Sequence, residues 1–167
     1  RGVMALTGTA TVGDAWRAIL PNYQPGQGIA IKVNFNNSFY PNACDSNDGQ
    51  INALIHPINA VVRGLKQIGV SEGDVWVFDA IRAIPTRFVN GSLYAGVRFY
   101  DAGCRLVAGF SSSHSSVYVA FSPPTGVPVP MEIKVSDVLR NAAYLINMPI
   151  MKKHGLTGIT LGFKNHF

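Results

Sequence analysis

Residues 56–79 read HPINAVVRGLKQIGVSEGDVWVFD and place a helix directly before a strand. The apolar positions from 51 to 68 recur at helical spacing, and His56-Pro57 fits the first turn, where a proline costs no hydrogen bond. The run DVWVFD (74–79) is hydrophobic on both faces, which is typical of a parallel strand covered on both sides. We therefore expect a helix over 56–68 and a buried strand over 75–79.

An earlier strand is predicted over residues 29–34, where Ile29, Ile31 and Val33 alternate with Ala30 and Lys32. A polar loop follows, over 34–50. A strand, a helix and a strand of these lengths form a βαβ unit, whose strands are parallel and whose crossover is right-handed.

The remaining elements are shorter or less regular. Residues 3–20 have a helical pattern in which Thr11 or Gly13 could cap a start, and Ser136 is suited to cap a helix over 137–141. Further strands are predicted over 97–100, 106–107, 117–121 and 143–148. The sequence thus predicts one α/β domain over residues 1–167, with an open, mostly parallel sheet built on the βαβ unit and flanked by helices.

Charged residues make up 14% of the chain and hydrophobic residues 47%. Such a sparsely charged surface is commoner in exported proteins, and it leaves neutral area for self-association or for a partner protein. The net charge of +5 favours anionic ligands in general, but no basic helix or patch interleaved with aromatic residues indicates nucleic acid. No apolar run reaches the roughly 20 residues that a membrane helix needs.

Cys44 and Cys104 are too few and too far apart in sequence for a cysteine-only zinc or iron–sulfur site. In an oxidising compartment they could form a disulfide, which requires Cα atoms within roughly 7 Å of each other. Two free buried thiols are the alternative.

The C-terminal segment is basic and rich in glycine. After the strand over 143–148 come Lys152, Lys153, His154, Lys164, Asn165 and His166, threaded by Gly155, Gly158 and Gly162, and no carboxylate follows Asp137. Cations on such a flexible backbone favour a site for a small anionic or electron-rich ligand. A solvated basic surface is the alternative interpretation.

Polar residues also follow the other predicted strands, and the carboxyl ends of parallel strands lie at one edge of the sheet, where α/β proteins place their ligands. We expect Asp79, Arg82, His154 and Lys164 to lie within reach of one small ligand there. A helix cap or an ion pair with Arg82 is the alternative for Asp79. Asn34 and Asn147 could instead form turns.

His56 is a candidate ligand or base, and it is also one of the residues that could bind a metal ion. An imidazole at the positive end of a helix favours its neutral form, which can act as a ligand or a base, although a structural role is the alternative. His56, His154, His166 and Asp79 would suffice for an open zinc or nickel site. None has the spacing of a known metal motif, so the metal stays unassigned.

A family resemblance rests on four stretches: GIAIKVNFN (28–36), HPINAVVRGLKQIGV (56–70), VWVFDAIR (75–82) and NMPIMKKHGLTGITLGFKNHF (147–167). Together they resemble the family catalogued as domain of unknown function 362, most closely its exported, Tat-type members. The resemblance implies an α/β domain and an extracytoplasmic (periplasmic or secreted) location. In some members it implies an additional iron–sulfur domain. It also implies a domain that continues beyond residue 167, and Arg1 is not an initiator methionine, so we expect further sequence at both ends.

Two functions follow as hypotheses. In the first, Lys164, His154 and Lys152 form a catalytic site with Asp79 opposite, since crowded cations favour a neutral, nucleophilic amine. Lys164 should then point into a cleft shared with His154 and Asp79, and His56, Asn34, Arg82 and Asn165 would hold a cofactor whose nature is unknown. A distant analogy is the lactate racemase type of enzyme, in which lysine and histidines hold a nickel cofactor. In the second, the protein is a non-catalytic assembly or redox-partner protein that self-associates through its weakly charged surface.

Overall fold

The computed structural model describes residues 1–36, 44, 52–101, 103–107, 125–126, 135–155 and 158–162. Its largest element is a five-stranded sheet in which every described pairing is parallel. In chain order the strands are β1 (Ile29–Lys32), β2 (Val75–Phe78), β3 (Arg98–Asp101), β4 (Leu106–Val107) and β5 (Tyr144–Asn147). The open parallel sheet expected from the sequence is therefore confirmed.

Five helices flank this sheet in the described part of the chain. They are α1 (Gly2–Thr7), α2 (Val12–Ile19), α3 (Ile55–Lys66), α4 (Thr86–Asn90) and α5 (Asp137–Asn141). A short 3₁₀ turn, Glu72–Asp74, leads into β2.

The strands lie in the order β4-β3-β2-β1-β5, so β1 is next to both β2 and the distant β5. Ile29 pairs with Val75 on one side and with Tyr144 on the other. The chain first builds the sheet outward from β1 to β4 and then returns to add β5 on the opposite side. The predicted parallel arrangement of the strands near 29–34, 75–79 and 143–148 is thus confirmed.

Each face of the sheet has its own core. On the first face, Ile31 and Val77 pack with Ile58, Val62 and other apolar side chains, so α3 covers this face as predicted. On the second face Ala30 and Phe78 pack with Val138 of α5. Because both faces of β1 are covered, all four of its residues are buried.

The N-terminal helical pattern over 3–20 belongs to two helices and not to one. Gly8 ends α1 with a positive φ of 67°, a conformation that glycine adopts without the cost of a Cβ clash. Thr11 then caps α2, since its side chain accepts a hydrogen bond from the Asp14 N–H. Ser136 caps α5 in the same way, as the sequence predicts.

The segment after β5 differs from the glycine-rich loop that the sequence suggested. Its described residues form an antiparallel hairpin of β6 (Lys152–His154) and β7 (Gly158–Thr160), in a sheet of its own. Lys152 pairs with Thr160 and Lys153 with Ile159. The strand predicted over 117–121 lies outside the described residues.

A disulfide joins Cys44 to Cys104, with the two Cα atoms 5.5 Å apart. Of the two alternatives open from the sequence, the structure therefore has the bridge and not the free thiols. Cys44 follows β1 and Cys104 follows β3, so the bridge connects chain segments beyond the carboxyl ends of two strands.

Candidate functional site

The carboxyl ends of β1 and β5 lie side by side at the point where the strand order reverses. The crossover from β1 leads to β2 on one side, and β5 is added on the other side of β1. The start of α3 and the segment after β5 border a crevice at this point. In open α/β sheets this crevice is the usual place for a ligand.

A pocket of about 540 Å³ lies at this crevice, and we call it the switch-point pocket. It is bounded by the end of β1, by the start of α3 and by the segment after β5. Its lining residues are apolar except for Asn52: Val33, Ala53, Leu54, Pro57, Ile58, Met148, Pro149 and Ile150. The volume lies within the range of about 300–1,000 Å³ that is typical of small-molecule sites.

Asn52 provides the polar group of this pocket. Its Oδ1 accepts a hydrogen bond of 2.7 Å from the Asn36 N–H. Its Nδ2 is buried and has no hydrogen-bond partner in the described part of the chain. A buried donor left without an acceptor costs about 1–3 kcal/mol, so such a group indicates that something else supplies the acceptor.

A smaller pocket of about 200 Å³ shares Asn52, Ala53 and Leu54 with the switch-point pocket, and we call it the basic pocket. Its lining includes His56 and Arg87. The sequence predicts His56 in the first turn of a helix, and the structure has it there, exposed, as the second residue of α3. Asn52 therefore lies where the switch-point pocket meets a second, mostly apolar pocket that carries two basic side chains, His56 and Arg87.

A buried ion pair lies at the same end of the sheet. Lys32, the last residue of β1, is 6% exposed, and its Nζ is 3.7 Å from Oδ1 of Asp79, which is 3% exposed. The same Nζ donates a 2.6 Å hydrogen bond to the Val33 carbonyl and lies 5.8 Å from the centre of the Phe78 ring. Burial lowers the pKa of the Lys32 ammonium group, and the attraction of Asp79 partly offsets this effect.

Asp79 holds the two loops that follow β1 and β2. Its Oδ2 accepts a hydrogen bond from the Phe35 N–H (3.0 Å), and its Oδ1 accepts from the N–H groups of Ile81 (3.1 Å) and Arg82 (3.2 Å). Together with Lys32, these contacts occupy the carboxylate. They favour a role in positioning the loops, and the ion pair described for Asp79 is with Lys32.

The two asparagines at the strand ends take part in local contacts. Asn147, the last residue of β5, lies beside Lys32 in the sheet, and its Nδ2 donates a 2.8 Å hydrogen bond to the Gly162 carbonyl. This contact brings the far end of the C-terminal hairpin against the carboxyl edge of the sheet. The Nδ2 of Asn34 lies 3.4 Å from the Phe35 carbonyl, so its hydrogen bond is long.

Lys152 also reaches this edge, because its Nζ donates a hydrogen bond to Oδ1 of Asn36. Asn36 in turn donates its backbone N–H to Asn52. Lys152 is therefore connected to the polar group of the switch-point pocket through a single intervening residue. Of the four predicted catalytic residues, Lys152 and Asp79 contact neighbouring residues of one loop, Asn36 and Phe35.

Lys164, Asn165 and His166 lie outside the described residues, and only the backbone of His154 is described, within β6. The predicted cleft shared by Lys164, His154 and Asp79 therefore stays a prediction. Within the described residues no group of three metal-ligating side chains comes together. Nor is any helix in that part of the chain long and apolar enough to cross a membrane.

Four residues of this edge were not identified from the sequence: Lys32, Asn36, Asn52 and Arg87. Lys32 did carry a signal, since a lysine at the carboxyl end of a strand expected to be covered on both faces must be buried or at the site. Asn36 and Asn52 carried none, because asparagines in a polar loop are ordinary turn residues.

The fold and this edge define a class: an open parallel α/β domain with a pocket at the reversal of its strand order. The chain belongs to the family described as domain of unknown function (DUF362), which matches residues 29–167. The family resemblance noted from the sequence is thus confirmed. No curated protein and no solved structure matches the chain.

Proposed function

We propose that this domain binds a small anionic ligand at the carboxyl edge of its sheet, with the switch-point pocket as the centre of the site. The observation that carries the proposal is the position of this pocket, at the reversal of strand order between β1 and β5. Of the predicted site residues, Lys152 is connected to it through Asn36, and His56 lines the basic pocket beside it.

Charge supports an anion at this edge. The chain has 14 lysine and arginine residues against 9 aspartate and glutamate residues. Asp79, the acidic residue that the sequence assigned to the site, is engaged by Lys32 and by three backbone N–H groups. Lys152, which contacts Asn36, and Arg87, which lines the basic pocket, add positive charge at this edge.

Catalysis by Lys152, His154 and Lys164 is a further step of the same proposal. Crowded cations favour the neutral amine that a base or a nucleophile requires. Lys32 is not part of this catalytic step, because its ammonium group is buried in the ion pair with Asp79 and it lines neither pocket.

The test is the binding of inorganic phosphate and of short carboxylates to the purified protein, measured by isothermal titration calorimetry. Lys152→Met should weaken the binding of at least one of these anions about tenfold, since it removes a charged donor. Lys153→Met is the matched control, because neighbouring strand residues point to opposite sides and Lys153 is exposed. Equal effects of both variants, or no binding of any anion, would contradict the proposal.

Self-association is a second candidate, and the hairpin favours it. Its register places Met151, Ile159 and Leu161 on one face, and their exposed fractions are 67%, 55% and 47%. A two-stranded hairpin is marginally stable alone, so a second copy covering this face would stabilise it. Analytical ultracentrifugation of Ile159→Lys against wild type tests this candidate. A wild-type protein that stays monomeric at high concentration would contradict it.

A further inference from the structure

We infer that the ligand is amphipathic, an organic acid with an apolar body, and that Asn52 binds its carboxylate at the junction of the two pockets. This inference rests on the proposed function and names the class of ligand. It follows from the chemistry of the lining residues, from the buried Asn52 amide and from the basic pocket beside it.

The lining of the switch-point pocket indicates that the ligand has an apolar part. Eight of the nine lining residues are apolar, with Val33 and Ile58 among the fully buried core. Inorganic phosphate or sulfate would find a single polar residue on these walls, Asn52, so such an anion would bind at Asn52 and the cations beside the pocket and not along its apolar walls. An alkyl or aryl group gains free energy along those walls by leaving water.

The Asn52 amide indicates that the ligand has a hydrogen-bond acceptor. Its Oδ1 accepts the Asn36 N–H, and its Nδ2 is a buried donor without a partner in the described part of the chain, so a ligand must come within hydrogen-bonding distance of Nδ2. An amide N–H₂ group only donates, and its partner must therefore be an oxygen or another acceptor. A carboxylate accepts two or more hydrogen bonds and makes stronger ones than a neutral oxygen.

The negative charge is favoured by the side chains around this acceptor position. Asn52 also lines the basic pocket, where His56 and Arg87 lie. The start of α3, a helix of 12 residues, borders both pockets through Leu54, and no side chain of the described residues caps it. The positive end of its dipole therefore adds to the attraction for an anion at the Asn52 amide.

The specificity follows from this division of the site. A ligand with an apolar body but no acid group would leave the Asn52 amide unsatisfied. A small inorganic anion would leave the larger pocket without an apolar partner. Octanoate has both parts and is a suitable probe, with inorganic phosphate as the comparison.

The experiment is a titration of octanoate into wild type, Asn52→Asp and Asn141→Asp. Asn52→Asp keeps the acceptor that binds the Asn36 N–H and replaces the Nδ2 donor with a negatively charged oxygen. We expect octanoate affinity to fall about ten- to hundredfold in this variant. Asn141→Asp makes the same charge change on an exposed residue of α5, on the second face of the sheet, and should leave the affinity unchanged.

A measurement on the wild type keeps the inference testable if Asn52→Asp does not fold. Intermolecular nuclear Overhauser effects should connect the octanoate chain to methyl groups of Leu54, Ile58 and Met148. Effects on residues elsewhere, or octanoate affinity equal in wild type and Asn52→Asp, would overturn the inference.

The two proposals fail in different ways. If phosphate binds in a Lys152-dependent manner and octanoate does not bind, the anion site stands and the amphipathic class is wrong. If neither binds, both proposals are overturned.

Discussion

Lys32 and Asp79 illustrate how a buried ion pair depends on both partners. Lys32 ends β1, and Asp79 accepts three backbone hydrogen bonds from the adjoining loops. Removing one partner of a buried pair leaves an uncompensated charge, which is far more costly than removing both. The pair therefore makes the geometry of this edge sensitive to single substitutions.

We expect Asp79→Ala to lower the free energy of unfolding by about 3–5 kcal/mol, because it leaves the Lys32 ammonium group buried without its counter-charge. The double variant Lys32→Met with Asp79→Ala should recover part of this loss. Urea denaturation of both variants measures the difference. A double variant less stable than Asp79→Ala alone would show that Lys32 stabilises the fold by other means.

The stability of the fold should depend on pH, because the pKa of Lys32 differs between the folded and the unfolded state. Burial lowers its pKa in the folded protein, whereas in the unfolded chain the pKa is about 10.4. Between these two values the unfolded state binds one proton more than the folded state, so stability rises with pH there. Lys32 thus contributes stability above the unfolded pKa and loses it as the pH falls through the folded pKa.

Urea unfolding at about pH 8 and about pH 10 should accordingly show a gain for wild type relative to Lys32→Met at the higher pH. Comparing the two proteins removes the contribution of the other titrating groups. An identical pH response of both would mean that Lys32 has an ordinary pKa in the fold.

At the scale of elements, α2 and α3 approach closely because α3 has a glycine where α2 has a tryptophan. A Cβ atom at Gly64 would overlap the indole of Trp16, a core residue with little room to move. The contact explains why a glycine is found inside α3, where it lowers helix stability.

We expect Gly64→Ala to destabilise the protein by about 1–3 kcal/mol through overpacking, although alanine is the better helix former. Gly2→Ala is the matched control, since a Cβ there meets no atom within 4 Å, and it should raise stability slightly. Thermal unfolding of both variants makes the comparison. A stabilising Gly64→Ala would mean that α2 can shift away from α3.

The elements differ in how well the sequence predicts them. Helix α3 and strands β1 and β2 follow from periodicity, and the α5 cap follows from Ser136, because these signals are local. The sequence does not predict the hairpin, because three glycines in and around its short strands give the segment the composition of a loop. The sequence predicts a site at the carboxyl edge of the sheet, but it does not predict the lining of the switch-point pocket. Asn52 and Met148 are brought together only by the tertiary fold.

At the scale of the whole molecule, the disulfide joins loops that follow β1 and β3. Cys44 also accepts a 2.7 Å hydrogen bond from the Thr86 N–H, and Arg105 donates one of 2.7 Å to the Thr86 side chain. Thr86 begins α4, whose Arg87 lines the basic pocket. The bridge thus supports one wall of the candidate site.

Replacing both cysteines with serine should lower the free energy of unfolding by about 2–4 kcal/mol, because the bridge closes a loop with a sequence separation of 60. Differential scanning calorimetry against wild type measures the loss. An unchanged unfolding temperature would show that the bridge does not restrain the unfolded chain.

The strand order has a consequence for the way the chain folds. The interior strand β1 obtains one of its two neighbours from β2, the next strand in sequence, but the other only when β5 is added from near the end of the chain. Until then, the hydrogen-bonding edge of Ile29–Lys32 is open to any other strand. A ribosome-bound chain that has not yet emerged as far as Asn147 therefore exposes one edge of a strand that is buried in the finished fold. Chaperone protection during synthesis would matter most in that interval.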